Sequence, residues 1–246
     1  MAVRTAVILA AGLGSRLKDR TIEIPKGFLK IDGISMIERS IEKLIEAGIC
    51  KIIIGTGYLS EHYDKLKERH VEITTCKSEK YAETGSMYTL YNLRHLVDGD
   101  FLLLESDLLY DKRGLEELID DEYPDIILAS GKTNSNDEVY IEADENSNLV
   151  NMSKITSELK HISGELVGIS KISILTFEKM IDFAESKFNQ NEMDMHYEDD
   201  FVGISSLTPI KVKKIENYAW CEIDDEDHLN RALSHVYPNI VLAEQQ

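Results

Sequence analysis

The run Leu9-Ala10-Ala11-Gly12-Leu13-Gly14-Ser15-Arg16-Leu17, followed by Pro25-Lys26, brings together the groups that phosphate chemistry needs. An apolar stretch, Ala6-Val7-Ile8-Leu9, precedes it and predicts a buried strand. Two glycines then allow a sharp turn and close approach of the backbone to a ligand. Main-chain N–H groups in such a loop can cradle phosphate, and Arg16 and Lys26 bring fixed positive charge to the same place. Two better-known phosphate motifs do not fit. No G-x-x-x-x-G-K-[ST] occurs. A dinucleotide fingerprint wants a small residue where Leu17 stands and an acid after the second strand. That strand, Lys51-Ile52-Ile53-Ile54-Gly55, runs into Thr56-Gly57-Tyr58 instead.

Acids that directly follow strands are the next candidates, because ligands of open parallel sheets lie beyond the carboxyl ends of the strands. Asp107 follows Phe101-Leu102-Leu103-Leu104-Glu105-Ser106, and Asp224 follows Trp220-Cys221-Glu222-Ile223. Two such carboxylates can hold a Mg²⁺ that takes further ligands from phosphate oxygens. Asp224 also precedes Asp225-Glu226-Asp227, so a helix N-cap is its other reading, and with the first loop the metal pair is the better explanation. The seven histidines show no ligand spacing, and His196 and His228 read as surface residues. Cys50, Cys76 and Cys221 are scattered, with no C-x-x-C, which argues against a disulfide framework or a zinc site and fits a cytoplasmic location.

The formal charge of −18 argues against a nucleic-acid surface, yet residues 1–30 carry six Lys/Arg against two acids. A basic pocket in an acidic body suits a small polyanion. No segment has the length and apolarity of a membrane span, and the short apolar start leads into Ser15-Arg16-Leu17-Lys18, a poor cleavage region for a signal peptide.

The elements that must position these groups alternate. Phe28 to Ile31 predicts a short extended piece ending at Asp32-Gly33. Helices are predicted from Ser35 to Gly48, from a Ser60 N-cap to about Arg69, and from Ser86 to Leu96. Strands are predicted at 52–54, 71–75, 101–104 and 126–128. This βαβ rhythm predicts an α/β fold with a mainly parallel sheet covered on both faces. It loosens after residue 130, where strands around 139–141 and 149–150 predict a small inserted substrate-binding region. Leu166 to Ile174 then predicts a core strand, Thr176 to Phe188 an amphipathic helix, and Trp220 to Ile223 a last strand. One domain over residues 1–246 is expected.

With L-A-A-G-L-G-S-R-L, Pro25-Lys26, Gly57-Tyr58-Leu59, Lys80-Tyr81-Ala82, Asp107, Lys154 and Glu222-Ile223-Asp224 in this order, the chain resembles the bacterial phosphocholine cytidylyltransferase-like nucleotidyltransferases. Within them it is most similar to those that make CMP-2-aminoethylphosphonate from CTP. The resemblance implies the Rossmann-like mixed sheet of the nucleotidyltransferase fold and release of pyrophosphate. It implies Mg²⁺ on Asp107 and Asp224, and main chain of Leu9, Ala10, Ala11 and Gly12 along the cytidine and ribose. Gly14, Ser15, Arg16 and Lys26 are then expected at the triphosphate. Thr84-Gly85-Ser86 is expected near the pyrimidine, although the phosphocholine enzymes carry asparagines there. Lys154 is expected on the incoming phosphonate, or else as an exposed hairpin lysine. The acid-rich run Glu192 to Phe201 offers Tyr197, Glu198 and Asp200 for the acceptor's ammonium, or a solvated helix start. A phosphocholine enzyme, a sugar-1-phosphate nucleotidyltransferase and a non-catalytic nucleotide sensor of the same fold are the alternatives. A homodimer and a natural fusion to an aminotransferase are compatible with the resemblance.

Overall fold

The computed structural model describes residues 3–135 and 137–245. Thirteen strands and eight α-helices occur among them. In chain order they are β1 (Thr5–Ala10), β2 (Lys30–Ile31), β3 (Ile34–Ser35), α1 (Met36–Glu46), β4 (Lys51–Thr56), α2 (Ser60–Asp64) and β5 (Ile73–Lys77). There follow α3 (Ser86–Asn92), β6 (Phe101–Glu105), β7 (Leu108–Tyr110), α4 (Arg113–Asp120), β8 (Ile126–Ser130), β9 (Tyr140–Ala143) and β10 (Leu149–Ser153). The last third holds β11 (Gly164–Ile172), α5 (Ile174–Phe188), α6 (Tyr197–Ser205), β12 (Lys211–Ile215), β13 (Trp220–Glu222), α7 (Glu226–Arg231) and α8 (Tyr237–Glu244).

The main sheet has nine strands, with β10-β9-β11-β6-β1-β4-β5 along one path and β8 joined to β11 and β12. β6, β1, β4 and β5 are parallel; β11 runs antiparallel to β6, β8 and β9. The expected mixed, mainly parallel sheet is thus present, and β9–β10 extends it rather than standing apart.

Period-two alternation along the parallel strands divides the core between two faces. Ala6, Ile8, Ile52, Ile54, Leu102 and Leu104 pack on one side against Ile37, Ile41 and Leu44 of α1 and Leu115 and Leu118 of α4. Val7, Leu9, Ile53 and Leu103 face the other side, against Met87 and Leu90 of α3, Phe177 and Met180 of α5, and Phe201 of α6. These strands are buried on both faces, which is why each is a continuous apolar run. A third cluster joins Leu17, Ile31, Met36, Leu109, Ile223, Leu229 and Ile240, and seats the C-terminal helices beneath the first loop.

Three expectations change. Ser60 begins α2 but does not cap it: Leu59, with φ +49°, holds the cap position, and α2 yields to a 3₁₀ turn at Lys65–Glu68. The 211–215 segment, Lys-Val-Lys-Lys-Ile, was not expected as a strand and pairs in parallel with β8. β13 is not in the main sheet; it pairs antiparallel with β7 as a separate ribbon. No helix among the described residues is long and apolar enough to cross a membrane.

Candidate active site

β1 ends at Ala10, and residues 9–16 run along the rim of a cavity of about 480 Å³. Gly14 takes the left-handed conformation, φ +63°, and opens a 3₁₀ turn over Ser15–Thr21. Its carbonyl accepts from Leu17 N–H (3.2 Å) and from Thr21 Oγ1 (2.9 Å). The N–H groups of Gly12, Leu13 and Gly14 have no partner among the described residues, and a Cβ at Gly12 would meet nothing within 4 Å. The loop therefore offers donors and clearance at the place where the sequence predicts phosphate.

Lys26 reaches the same cavity because Pro25 is extended and Gly27 lies against the end of β6. A Cβ at Gly27 would stand 2.8 Å from the Ser106 carbonyl. Lys26 Nζ pairs with Asp107 and Asp224, and with Glu222 Oε1 at 3.3 Å. Asp224 arrives through the β7–β13 ribbon, where Ile223 N–H donates to the Asp107 carbonyl (3.2 Å). Asp225, not Asp224, caps α7 by accepting from His228 N–H (2.9 Å), so the N-cap reading of Asp224 falls away.

An alternating line of charge crosses the cavity. Arg16 Nη2 pairs with Asp224 Oδ1 (2.6 Å) and Arg16 Nη1 with Asp137 Oδ2 (2.6 Å), while Asp137 Oδ1 accepts from Lys154 Nζ (2.6 Å). Lys154, Asp137, Arg16, Asp224, Lys26 and Asp107 thus follow one another with opposite signs. Burial alone would lower the Lys26 pKa, but Asp107, Glu222 and Asp224 hold it well above the usual lysine range. Burial would raise Asp224, yet Lys26 keeps it below the usual carboxylate range.

The inner end is lined by acids. Glu105, the last residue of β6, accepts from Tyr197 Oη (2.6 Å). Gly168 makes room for it, since a Cβ there would lie 2.9 Å from Glu105 Oε2. Burial first, then Glu222 and Asp107, push the Glu105 carboxyl well up. Burial and Asp107 push Glu222 up to about 8. Burial likewise raises Glu198, whose Oε2 is buried without a hydrogen-bond partner. Glu105, Asp107 and Glu222 offer carboxylate oxygens all within 4.8 Å of one another.

The opening of α3 supports this wall. Gly85 packs so closely on the backbone of Asp194 and Met195 that a Cβ would clash with it. Ser86 Oγ accepts from Tyr197 N–H (3.1 Å) and meets His196 Nδ1 (3.2 Å).

Leu9, Ala10, Ala11, Gly12, Gly14, Ser15, Arg16, Lys26, Thr84, Gly85, Ser86, Asp107, Lys154, Tyr197, Glu198 and Asp224 all line the one cavity. Asp200 does not: it is fully buried in α6, away from the lining, with both carboxylate oxygens unpartnered. His196 is exposed as expected, but His228 is buried and lines the cavity. Glu105, Glu222 and Asp137 were missed as site residues. The first two occupy strand ends on the ligand edge, the one signal that could have found them.

A family model, the MobA-like NTP transferase domain, matches residues 6–140. The chain belongs to this family. It is therefore a nucleotidyltransferase, with the first loop, Lys26, Asp107 and Asp137 all inside the matched segment. It is 29% identical over 221 residues to a choline-phosphate cytidylyltransferase of Streptococcus pneumoniae, covering 89% of this chain and 92% of that protein. Shorter matches join it to a choline-phosphate cytidylyltransferase of Haemophilus influenzae, 40% identical over 40% of this chain and 44% of that protein. A 2-aminoethylphosphonate cytidylyltransferase of Lancefieldella rimae is 32% identical over 42% of this chain and 43% of its own length. In fold, the chain is similar to the inositol-1-phosphate CTP transferase from T. maritima, with a TM-score of 0.83 at 20% identity over 100% of this chain and 98% of that one.

Proposed function

We propose that this nucleotidyltransferase transfers the cytidylyl group of CTP to 2-aminoethylphosphonate, giving CMP-2-aminoethylphosphonate and pyrophosphate. The cytidylyl half rests on the named activities of the relatives. The acceptor half rests on one observation: the buried, unpartnered Glu198 Oε2 at a cavity wall shared with Glu105 and Glu222. An –NH₃⁺ group brings three donors to such acceptors, whereas a trimethylammonium brings none.

On this reading an ionised phosphonate oxygen attacks the α-phosphorus, the α–β P–O bond breaks, and the electron pair leaves with pyrophosphate. No general base is needed, because the nucleophile is already anionic. Catalysis is then positioning and charge stabilisation. Lys26 exchanges its carboxylate partners, and Arg16 its Asp224 contact, for phosphate oxygens, and both neutralise charge growing on the leaving group. Lys154 holds the phosphonate, and the loop N–H groups of Gly12 to Gly14 steady the triphosphate. The acids fit a hard divalent cation: their donors are all oxygen, three converge, and Asp224 Oδ2 is buried and unpartnered. Asp107 and Asp224, with Glu105 and Glu222 beside them, are the groups that would hold Mg²⁺, which when bound supplies Lewis-acid neutralisation of phosphate charge.

A phosphocholine acceptor is the second reading. The Trp220 and Tyr197 rings also line the cavity, and the choline-phosphate cytidylyltransferase of Streptococcus pneumoniae matches 89% of this chain. Comparing kcat/KM for 2-aminoethylphosphonate, its N-trimethyl analogue and phosphocholine with CTP separates the two. The amine reading expects the first to lead by at least about 100-fold, as lost charge-assisted hydrogen bonds imply. Equal use of the amine and its trimethyl analogue refutes it.

A further inference from the structure

Arg16 and Lys154 come from distant parts of the chain, the first loop and the turn after β10, yet both end on one carboxylate. Asp137 gives Oδ2 to Arg16 Nη1 and Oδ1 to Lys154 Nζ, each at 2.6 Å. Both hydrogen bonds keep Asp137 ionised: partial burial pushes its carboxyl up, but the two cations hold it down at about 2.

The segment carrying Asp137 is itself tied in place. Thr133 N–H donates to Glu165 Oε2 (2.7 Å), and Ser135 N–H donates to Glu138 Oε1 (2.5 Å). His228 Nε2 lies 3.0 Å from the Ser135 carbonyl, and its Nδ1 accepts from Asp224 N–H (3.3 Å). A carbonyl cannot donate, so Nε2 carries the hydrogen and Nδ1 the lone pair. The ring thus links the Asp137 segment directly to the backbone of Asp224.

We propose that Asp137 is a positioning residue for nucleotidyl transfer, fixing the spacing between the cation at the donor triphosphate, Arg16, and the cation at the acceptor, Lys154. This rests on the functional reading above. Two long cationic side chains in one cavity, left free, keep their rotamer freedom and their full charge for any anion that enters. A carboxylate shared between them weakens that binding and keeps both in one arrangement. Only interactions stronger in the transition state than in the ground state speed the chemical step. Loss of Asp137 therefore tightens binding while slowing turnover, and a residue that merely anchored its loop would do neither together.

The test compares the parent with Asp137→Asn and Asp137→Glu. Asp137 is partly exposed at the cavity mouth, so both variants are expected to fold, which thermal melting checks. Calorimetry with inorganic pyrophosphate should show Asp137→Asn binding at least about 10-fold tighter than the parent, as release of two cations from a charge-assisted pair implies. With CTP and 2-aminoethylphosphonate, its kcat should fall at least about 10-fold while both KM values fall. Asp137→Glu keeps the charge and should restore the weaker pyrophosphate binding and part of kcat. Pyrophosphate bound no more tightly by Asp137→Asn, or an unchanged kcat with raised KM, overturns the proposal. If the parent turns over no acceptor with CTP, the functional reading fails, and the pyrophosphate comparison alone then decides the role of Asp137.

Discussion

Replacing Lys26 with methionine keeps the length of the side chain and removes its charge from among three carboxylates. Lys26 is only 12% exposed, and its partners Asp107 and Asp224 are 15% and 5% exposed. Breaking a buried ion pair from one side costs about 3–5 kcal/mol. Here the acids can relieve part of that cost by taking up protons. Glu222 is already raised to about 8 by burial and Asp107 with the lysine present. Without Lys26 the Glu222 carboxyl is pushed up further, and Asp224 loses the cation that holds it below the usual carboxylate range and becomes the further acid able to take up a proton. An acid raised in the folded state contributes its stability at low pH and loses it as the pH climbs through the folded value. The deficit of Lys26→Met should therefore widen with pH. Each pH unit over which one more acid is held protonated is worth about 1.4 kcal/mol, so most of a cost near 3 kcal/mol should be recovered between pH 8 and pH 6. For a chain of this size 1 kcal/mol moves Tm by about 2–4 °C. Thermal melts at pH 6 and pH 8 should thus show a gap that roughly doubles or more at the higher pH. Added Mg²⁺ should narrow it at pH 8. A gap that is constant with pH and indifferent to Mg²⁺ would mean that Lys26 does not balance these acids. Turnover gives the second arm: kcat/KM should fall at least about 100-fold at either pH, as for loss of one well-placed donor to developing charge. Near-parent activity in a folded variant would refute the role at the triphosphate.

Asp107→Asn and Asp224→Asn should each lower turnover at saturating Mg²⁺ by at least about 100-fold while leaving circular dichroism unchanged; near-normal turnover in both would remove them from the metal-binding proposal. Asp200→Asn should stabilise the protein. Burial and Asp199 push Asp200 up to about 8, so its contribution is full below the unfolded value and is lost as the pH rises. The gain in denaturant melts should grow from pH 5 to pH 8 and reach on the order of 4 kcal/mol near pH 7, with no change in KM for either substrate; a pH-independent difference would show that Asp200 is not held protonated. Glu198→Gln should reduce the preference for 2-aminoethylphosphonate over its N-trimethyl analogue more than it alters KM for CTP, and steady-state competition that leaves the preference intact would exclude Glu198 from the ammonium site.

Much of the sheet was legible because strands buried on both faces have no polar positions to disguise them, as in Ile52-Ile53-Ile54 and Leu102-Leu103-Leu104. β12 was not, because three of its five residues are lysines, the kind of charge that protects a sheet edge from further pairing. The first loop and the two aspartates could be found from local sequence, since each sits just past a strand end, and Lys26 from the Pro25-Lys26 pair that follows the loop. What local sequence cannot carry is which distant group each one faces. His228 looked like a surface residue of an acidic helix until its partner proved to be Ser135, 93 positions away. Asp137 lies 121 positions from Arg16 in a turn-rich stretch with no periodicity to mark it. Asp200 was grouped with Tyr197 and Glu198 by proximity in sequence, but a helix turns about 100° per residue, and it faces the interior instead.

Following the phosphorus itself tests cytidylyl transfer to the phosphonate. Incubating the protein with CTP, 2-aminoethylphosphonate and Mg²⁺ and recording ³¹P NMR should show the three triphosphate signals and the free phosphonate signal decay together. They should be replaced by pyrophosphate and a coupled pair of resonances from one phosphoryl–phosphonyl anhydride. Pyrophosphate and a coupled pair appearing with phosphocholine or glucose-1-phosphate, while the phosphonate signal stays unchanged, would contradict the account.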